Sequence, residues 1–268
     1  MGATIVTALY DIGREKVDGR GMSQYYEWFA KTLQLKCPMV IYCDEITRPF
    51  IESNRKLSET KVICKKLEEV PYFHLKDKMD AVLSSESYKS KVKDPDRIEC
   101  KISLYNIVQY CKFPWLLHAA QENYFGTDYF IWMDAGFSRL VSDFQFDTTF
   151  PGENFMQQIA SFPERVLFQA YQYPYDDLFN AANISEDYFY DNRSYVMGGL
   201  FGSDRRGIEK VCKSVDDLLE KQMLDNGVVA NDQIGIGFLL KKNNEDFVVL
   251  QNNPRVRNNF ELFYQMSF

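Results

Sequence analysis

The chain has 268 residues, 46% of them hydrophobic and 15% aromatic, which supplies the apolar surface for one large α/β core. A formal net charge of −7 argues against a nucleic-acid-binding surface, and no apolar stretch reaches membrane-spanning length. Six cysteines without a C-x-x-C pair, and only two histidines (His74 and His118), argue against a zinc site, a histidine metal cage or a Ser-His-Asp hydrolase.

Thr4–Tyr10 is β-rich and runs into Asp11, Gly13 and Arg14, the pattern of a first buried strand with a polar loop at its carboxyl end. Ser23 is predicted to cap a helix running to about Lys36, which Pro38 ends. Met39–Tyr42 follows as a short strand ending at Cys43-Asp44-Glu45. The resulting βαβ unit favours a parallel sheet. Arg48–Leu57 has the pattern of a short polar helix, and Lys61–Leu67 that of a third strand. Lys76–Arg97 is charged, with a broken helical pattern, and is predicted as a surface excursion or mobile segment. Ile98–Tyr124 is helical in pattern, with a break or kink expected at Pro114.

Tyr129–Gly136 (Tyr-Phe-Ile-Trp-Met-Asp-Ala-Gly) is the stretch around which the rest is arranged. Its continuous apolar run suits a strand covered on both faces, in the middle of a mostly parallel sheet. Ligands bind beyond the carboxyl ends of such strands, which is where Asp134 would sit. The same residues also describe a strand that simply ends in a polar turn.

After Gly136 come Arg139, a loop rich in Asp and Phe, a helix near Asn154–Ser161 and a strand pattern over Val166–Tyr171. Tyr173–Tyr195 is dense in Tyr, Phe, Asn and Asp. Such a mixture suits sugar rings, though a loop over the core has a similar composition. Two glycosylation sequons, at Asn183 and Asn192, matter only for a lumenal chain. Tyr195–Ser203 is predicted as a strand with three glycines, where a bulge or a close approach by a ligand is expected. The nucleotide patterns G-x-G-x-x-G and G-x-x-x-x-G-K-[ST] are absent. Ser203 or Asp204 is predicted to cap a long helix that ends at Asp225-Asn226-Gly227. Asn231-Asp232-Gln233 opens a helix over Ile234–Leu240, either as a plain N-cap or with Asp232 in an active site. Phe247–Leu250 is the last predicted strand, before a basic tail holding Arg255 and Arg257.

Taken together, these stretches resemble the glycosyltransferases of the GT-A type and, more closely, the HtrL/YibB family. The resemblance is carried by Thr4–Ala8 through Asp11–Arg14, by Tyr25–Phe29, and by Trp132–Gly136 with Arg139. Gly198–Ser203 and Asn231-Asp232-Gln233 complete it. It implies a single GT-A-like (Rossmann-like) α/β domain over residues 1–268, with a mostly parallel central sheet flanked by helices. The nucleotide-binding part would span about 1–140 and the acceptor-binding part about 141–268. It further implies a hexosyl- or pentosyltransferase that moves a sugar from a nucleotide-sugar donor, UDP-linked in the first instance, to a glycan or other hydroxyl acceptor. Thr7, Ala8, Tyr10, Asp11 and Arg14 would hold base and ribose, with Asp44 assisting. Lys101 would face the diphosphate or else be an ordinary solvated lysine. Asp134, Ala135, Gly136, Gly198 and Gly199 would border the donor.

The broader GT-A pattern has Asp-x-Asp where this chain has Asp134-Ala135-Gly136. There the carboxylates hold Mn²⁺ or Mg²⁺ against the leaving diphosphate, and one protein carboxylate suffices when phosphates and waters supply the rest. Asp134 is therefore the expected metal ligand, with Asp232 or a later residue second; without a metal, Arg14, Arg139 or Arg255 would stabilise the leaving group. An inverting transferase also needs a carboxylate base, for which Asp232 leads and Asp191 follows. A sugar nucleotidyltransferase and a catalytically inactive carbohydrate-binding protein are the rival readings. The start Met1-Gly2-Ala3-Thr4 leaves no room for a signal peptide, so a cytoplasmic chain is expected, lumenal only if an anchor had been removed.

Overall fold

The computed structural model describes residues 1–141, 143–171, 185–191, 194–250, 263 and 266. Arg255, Arg257, most of the Tyr173–Tyr195 stretch, and Asn183 and Asn192 of the sequons lie outside them. Among the described residues seven strands form one sheet: β1 (Ala3–Leu9), β2 (Met39–Cys43), β3 (Thr60–Cys64), β4 (Tyr129–Met133), β5 (Val166–Gln169), β6 (Leu200–Asp204) and β7 (Phe247–Leu250). Their order is β3-β2-β1-β4-β6-β5-β7, parallel throughout except for β6, which runs antiparallel to both neighbours. The expected α/β architecture with a mostly parallel sheet flanked by helices is thus the observed one.

The apolar runs read from the sequence are central strands because both faces of the sheet are covered. Val6, Val40, Tyr42, Phe130, Trp132, Phe168 and Phe201 enter one core cluster, while Ile5, Met39, Ile41, Ile131, Met133, Leu167 and Leu200 enter the other. This period-two alternation between two apolar layers makes a strand uniformly hydrophobic. Among the described residues, eight helices of seven residues or more flank the sheet: α1 (Met22–Thr32), α2 (Arg48–Asn54), α3 (Lys76–Ser84), α4 (Ser103–Tyr110), α5 (Lys112–Glu122), α6 (Glu153–Ala160), α7 (Arg205–Asp217) and α8 (Asp232–Lys242). Residues of α3, α4, α5, α7 and α8 pack on the first face, and residues of α1, α2 and α6 on the second.

Several local expectations need correction. Helix α1 is capped by Gly21 and not by Ser23, and no side chain closes it; a Cβ at Gly21 would meet the Glu15 carboxyl carbon at 3.0 Å. It ends at Thr32 and not near Lys36. There the buried Arg55 guanidinium donates to the carbonyls of Leu33 at 2.8 Å, Leu35 at 3.0 Å and Cys37 at 2.5 Å, holding the chain out of helix. Lys76–Arg97 is no excursion. Met79, Val82, Leu83, Tyr88 and Val92 are buried, and the lysines and aspartates between them are the solvent face of amphipathic turns. The break in Ile98–Tyr124 falls at Cys111, and Pro114 sits in the first turn of α5, where a missing N–H costs little. The glycine-rich strand is shorter than predicted. Gly198 and Gly199 form a turn before β6, which starts at Leu200. The cap of α7, by contrast, is one of the two expected: Asp204, which accepts from Gly207 N at 2.9 Å.

Candidate functional site

The carboxyl ends of β1 and β4 are neighbours, since Val6 pairs with Trp132. From β1 the chain departs to β2 on one side, while β4 lies on the other, so a crevice must open between their ends. A cleft of about 950 Å³, counting its open mouth, lies there. One wall is Ala8, Tyr10, Asp11 and Arg14 from the end of β1, with Arg20, Met22 and Tyr25 beyond. The floor is Trp132, Asp134, Ala135 and Gly136, with Arg139 at one edge. The far wall is Tyr105, Val108, Gln109 and Lys112, joined by Gln233. These four residues are spaced i, i+3, i+4 and i+7, one face of a helical path that passes from α4 into α5.

Each polar side chain here has a local reason for its place. Asp11 accepts from Gly13 N at 2.9 Å, and Gly13 (φ +71°) makes the turn that this bond closes. Arg14 is gripped by Asp18, with Nε to Oδ2 at 2.8 Å, donates to the Tyr25 hydroxyl at 3.0 Å, and lies 5.2 Å over the Tyr105 ring. Arg139 lies 5.3 Å over Trp28 and donates to Gly136 O at 3.3 Å. Among the described residues Arg139 has no carboxylate partner, so its positive charge is left for the cleft. Trp132, Trp115, Tyr10 and Tyr42 stack into a block around Trp115, with centroids 5.3–6.0 Å apart, which stiffens the wall between β1, β2 and β4.

Asp134 is 31% exposed, at the floor of the cleft beside the first strand, as the sequence led us to expect. Its backbone N–H donates to Gly199 O at 2.9 Å, and its Oδ1 accepts from Trp132 Nε1 at 2.7 Å. Beneath it lies a group that the sequence reading missed. Lys112, at the first position of α5, is 3% exposed, and its Nζ reaches Asp232 Oδ2 at 2.8 Å, Gly198 O at 2.9 Å and Asp134 Oδ1 at 3.2 Å. Burial alone would lower the Lys112 ammonium, but Asp134 and Asp232 overcome it and hold it well above its ordinary value. Asp232 is 4% exposed and opens α8, whose N-terminal dipole favours a negative charge. Burial pushes its carboxyl up, the Lys112 ammonium opposes that, and Asp134 adds to it. Asn231 accepts from Ile234 N at 3.1 Å as the N-cap, and its amide donates to the buried Glu99 at 3.0 Å, fixing the start of α8 from behind.

Of the remaining sequence candidates, Thr7 is fully buried under the wall, its hydroxyl without a partner among the described residues. Gly198 and Gly199 lie against Asp232 and Asp134 rather than on the cleft surface. Asp44 accepts from Thr47 N at 2.7 Å at the end of β2 and does not line the cleft. Lys101 pairs with Asp96 at 2.8 Å on the surface, and Asp191 pairs with Lys93; neither reaches the cleft. The missed Lys112 did leave a signal. It is a lone charge inside an apolar helical stretch, and a charge buried there must be paired.

The residues at Asp134 do not fit a protein-held divalent cation. Oδ1 is already engaged by an indole N–H and an ammonium, and Gly136 supplies no second carboxylate. Among the described residues no three His, Cys, Asp or Glu side chains converge on one point.

The crystal structure of apo mouse xyloside xylosyltransferase 1 is similar to this chain at a TM-score of 0.46 and 12% sequence identity, over 92% of this chain and 84% of that one. No curated protein matches the sequence. A family profile described as "Bacterial protein of unknown function (HtrL_YibB)" matches residues 1–264, which takes in every segment that builds the cleft. On that match the chain belongs to the HtrL/YibB family.

Proposed function

We propose that the chain is a glycosyltransferase that takes a sugar from a nucleoside-diphosphate donor and passes it to a hydroxyl acceptor. The observation that carries this reading is the composition of the cleft between β1 and β4. Four cationic side chains (Arg14, Arg20, Lys112 and Arg139) meet two carboxylates (Asp11 and Asp134) and three tyrosines on its walls. Aromatic faces suit a nucleobase or sugar ring, guanidinium groups suit a diphosphate, and one exposed carboxylate suits a sugar hydroxyl. In transfer, the acceptor oxygen bonds to the anomeric carbon as the bond from that carbon to the diphosphate oxygen breaks. The nucleoside diphosphate leaves as an anion, and the acceptor proton is taken up by a base.

Asp134 is the carboxylate that touches the donor. Asp232 acts through Lys112 and Gly198 and is a positioning residue, because it is enclosed and its Oδ2 is bound to the ammonium. Residues 1–140 supply the nucleotide end of the cleft, and the segments after Gly136 supply the acceptor side, with a glycan as the acceptor class. UDP is the first nucleotide to try.

The test is release of nucleoside diphosphate from UDP- and GDP-sugars, with and without glycan acceptors, by the wild type and by Asp134→Ala. The expected result is slow release that Asp134→Ala abolishes while the variant, though less stable without the partner of Lys112, stays folded at the assay temperature. A protein that instead consumes a nucleoside triphosphate plus a sugar phosphate is a nucleotidyltransferase, and one that binds sugar without turnover is a lectin-like relative; either outcome refutes the proposal.

A further inference from the structure

We infer that this cleft neutralises the donor's diphosphate with guanidinium groups and needs no divalent cation, because Lys112 already holds Asp134 from within and Arg139 fills the space beside Gly136. The inference rests on the nucleoside-diphosphate reading above and deepens it.

Two independent features carry it. The first is Lys112. The Lys112 ammonium donates to Asp232 Oδ2 and to Gly198 O and is ion-paired with Asp134 Oδ1 at 3.2 Å, so it is enclosed by acceptors of this chain. Lys112 therefore ties the two carboxylates together from within and is not waiting for a phosphate. A divalent cation on Asp134 would have to share its carboxylate with this enclosed positive charge. The second feature is Gly136. A Cβ built there would lie 2.7 Å from Arg139 Nη1 and 3.2 Å from the Trp28 ring. The space into which a second carboxylate would project is thus filled by a guanidinium. Arg139 is exposed, stacked on Trp28, and has no carboxylate partner among the described residues, so its outward N–H groups face the cleft unpaired. Guanidinium forks bind phosphate oxygens in pairs, which lets Arg139, with Arg20 opposite, do for the leaving anion what a metal otherwise does.

Isothermal titration of the full chain with UDP and with GDP tests this, after chelation by EDTA and again with Mn²⁺ restored. The expected dissociation constant is the same in both conditions within about twofold, and Arg139→Ala raises it by about tenfold or more. Because Arg139 is exposed, its removal leaves the core untouched, and an unchanged melting temperature confirms that. Affinity that is lost on chelation and returns with Mn²⁺ overturns the inference while leaving the transferase reading standing. So does an Arg139→Ala variant that binds like the wild type. No binding of either nucleotide in either condition overturns both. A double variant, Gly136→Asp with Arg139→Ala, gives a further arm: it should bind the diphosphate only with Mn²⁺, since the exchange restores a carboxylate where the guanidinium was.

Discussion

Replacing Lys112 with Met tests the centre of the site. Met keeps most of the lysine stem's bulk, so the change removes a charge more than it removes packing. It leaves Asp232, 4% exposed, with no cation, and Asp134 without its ammonium. Breaking a buried pair in this way typically costs about 3–5 kcal/mol. For a chain of this size each kcal/mol moves the melting temperature by roughly 2–4 °C, so the variant should melt roughly 6–20 °C lower. The pH dependence gives an independent check. In the variant, burial acts on Asp232 with Lys112 no longer opposing it, so its folded-state pKa stays above the unfolded value of about 3.8 and by a wider margin than in the wild type. The folded state then binds more protons than the unfolded one between those two values. Stability from this group is full below the unfolded pKa and is lost as pH rises through the folded one. The destabilisation of Lys112→Met should therefore shrink as pH is lowered through the raised Asp232 value toward the unfolded one of about 3.8. The double variant Lys112→Met/Asp232→Asn, which removes the stranded charge, should be more stable than Lys112→Met alone. Differential scanning fluorimetry across pH reads all three. A single variant that melts like the wild type, or a double variant whose loss is the plain sum of the two, would refute the ammonium bridge.

Two other substitutions separate site from scaffold. Gly198→Ala would drive a methyl into Asp232 Oδ2 and to 2.9 Å from Gln233 Cγ, and Lys112 prevents Asp232 from swinging away. The expected cost is about 1–3 kcal/mol in chemical denaturation, with donor turnover falling further than stability accounts for. Arg55→Ala removes the guanidinium that three carbonyls after α1 depend on, far from the cleft, and should cost about 3 kcal/mol while turnover per folded molecule is kept.

The central strands β1, β2, β4 and β5 were legible because they are apolar runs between turn residues, and both faces of the sheet demand apolar residues there. Phe247–Leu250 was read to the residue, and Met39–Cys43 to within one. Lys76–Arg97 misled because its charges are interleaved with core residues at helical spacing, so its composition hides the buried stripe of Met79, Val82 and Leu83. The cleft was legible where it is contiguous in sequence, at Ala8–Arg14 and at Asp134–Gly136. What one chain cannot display is which charges cancel. Lys101 and Asp191 have the right chemistry, but Asp96 and Lys93 neutralise them, while Lys112 finds its partners at residues 134, 198 and 232.

The reversal of β6 is what makes that convergence possible. In a parallel sheet every strand delivers its carboxyl end to the same edge, so loops leave the crevice there but none arrives. Strand β6 runs the other way and pairs Leu200 with Met133, so its beginning lies at the end of β4. The Gly198-Gly199 turn is thereby carried directly to Asp134, whose N–H donates to Gly199 O, while Gly198 O accepts a hydrogen bond from the Lys112 ammonium. A side chain at Gly198 would collide with Asp232, so the absence of a Cβ there is a packing requirement of the site. The glycines that looked in sequence like a weakened strand are thus the backbone half of a charge cluster whose other half comes from the starts of α5 and α8. Had β6 been parallel, that turn would open at the opposite edge of the sheet, and Lys112 would be buried with one acceptor too few.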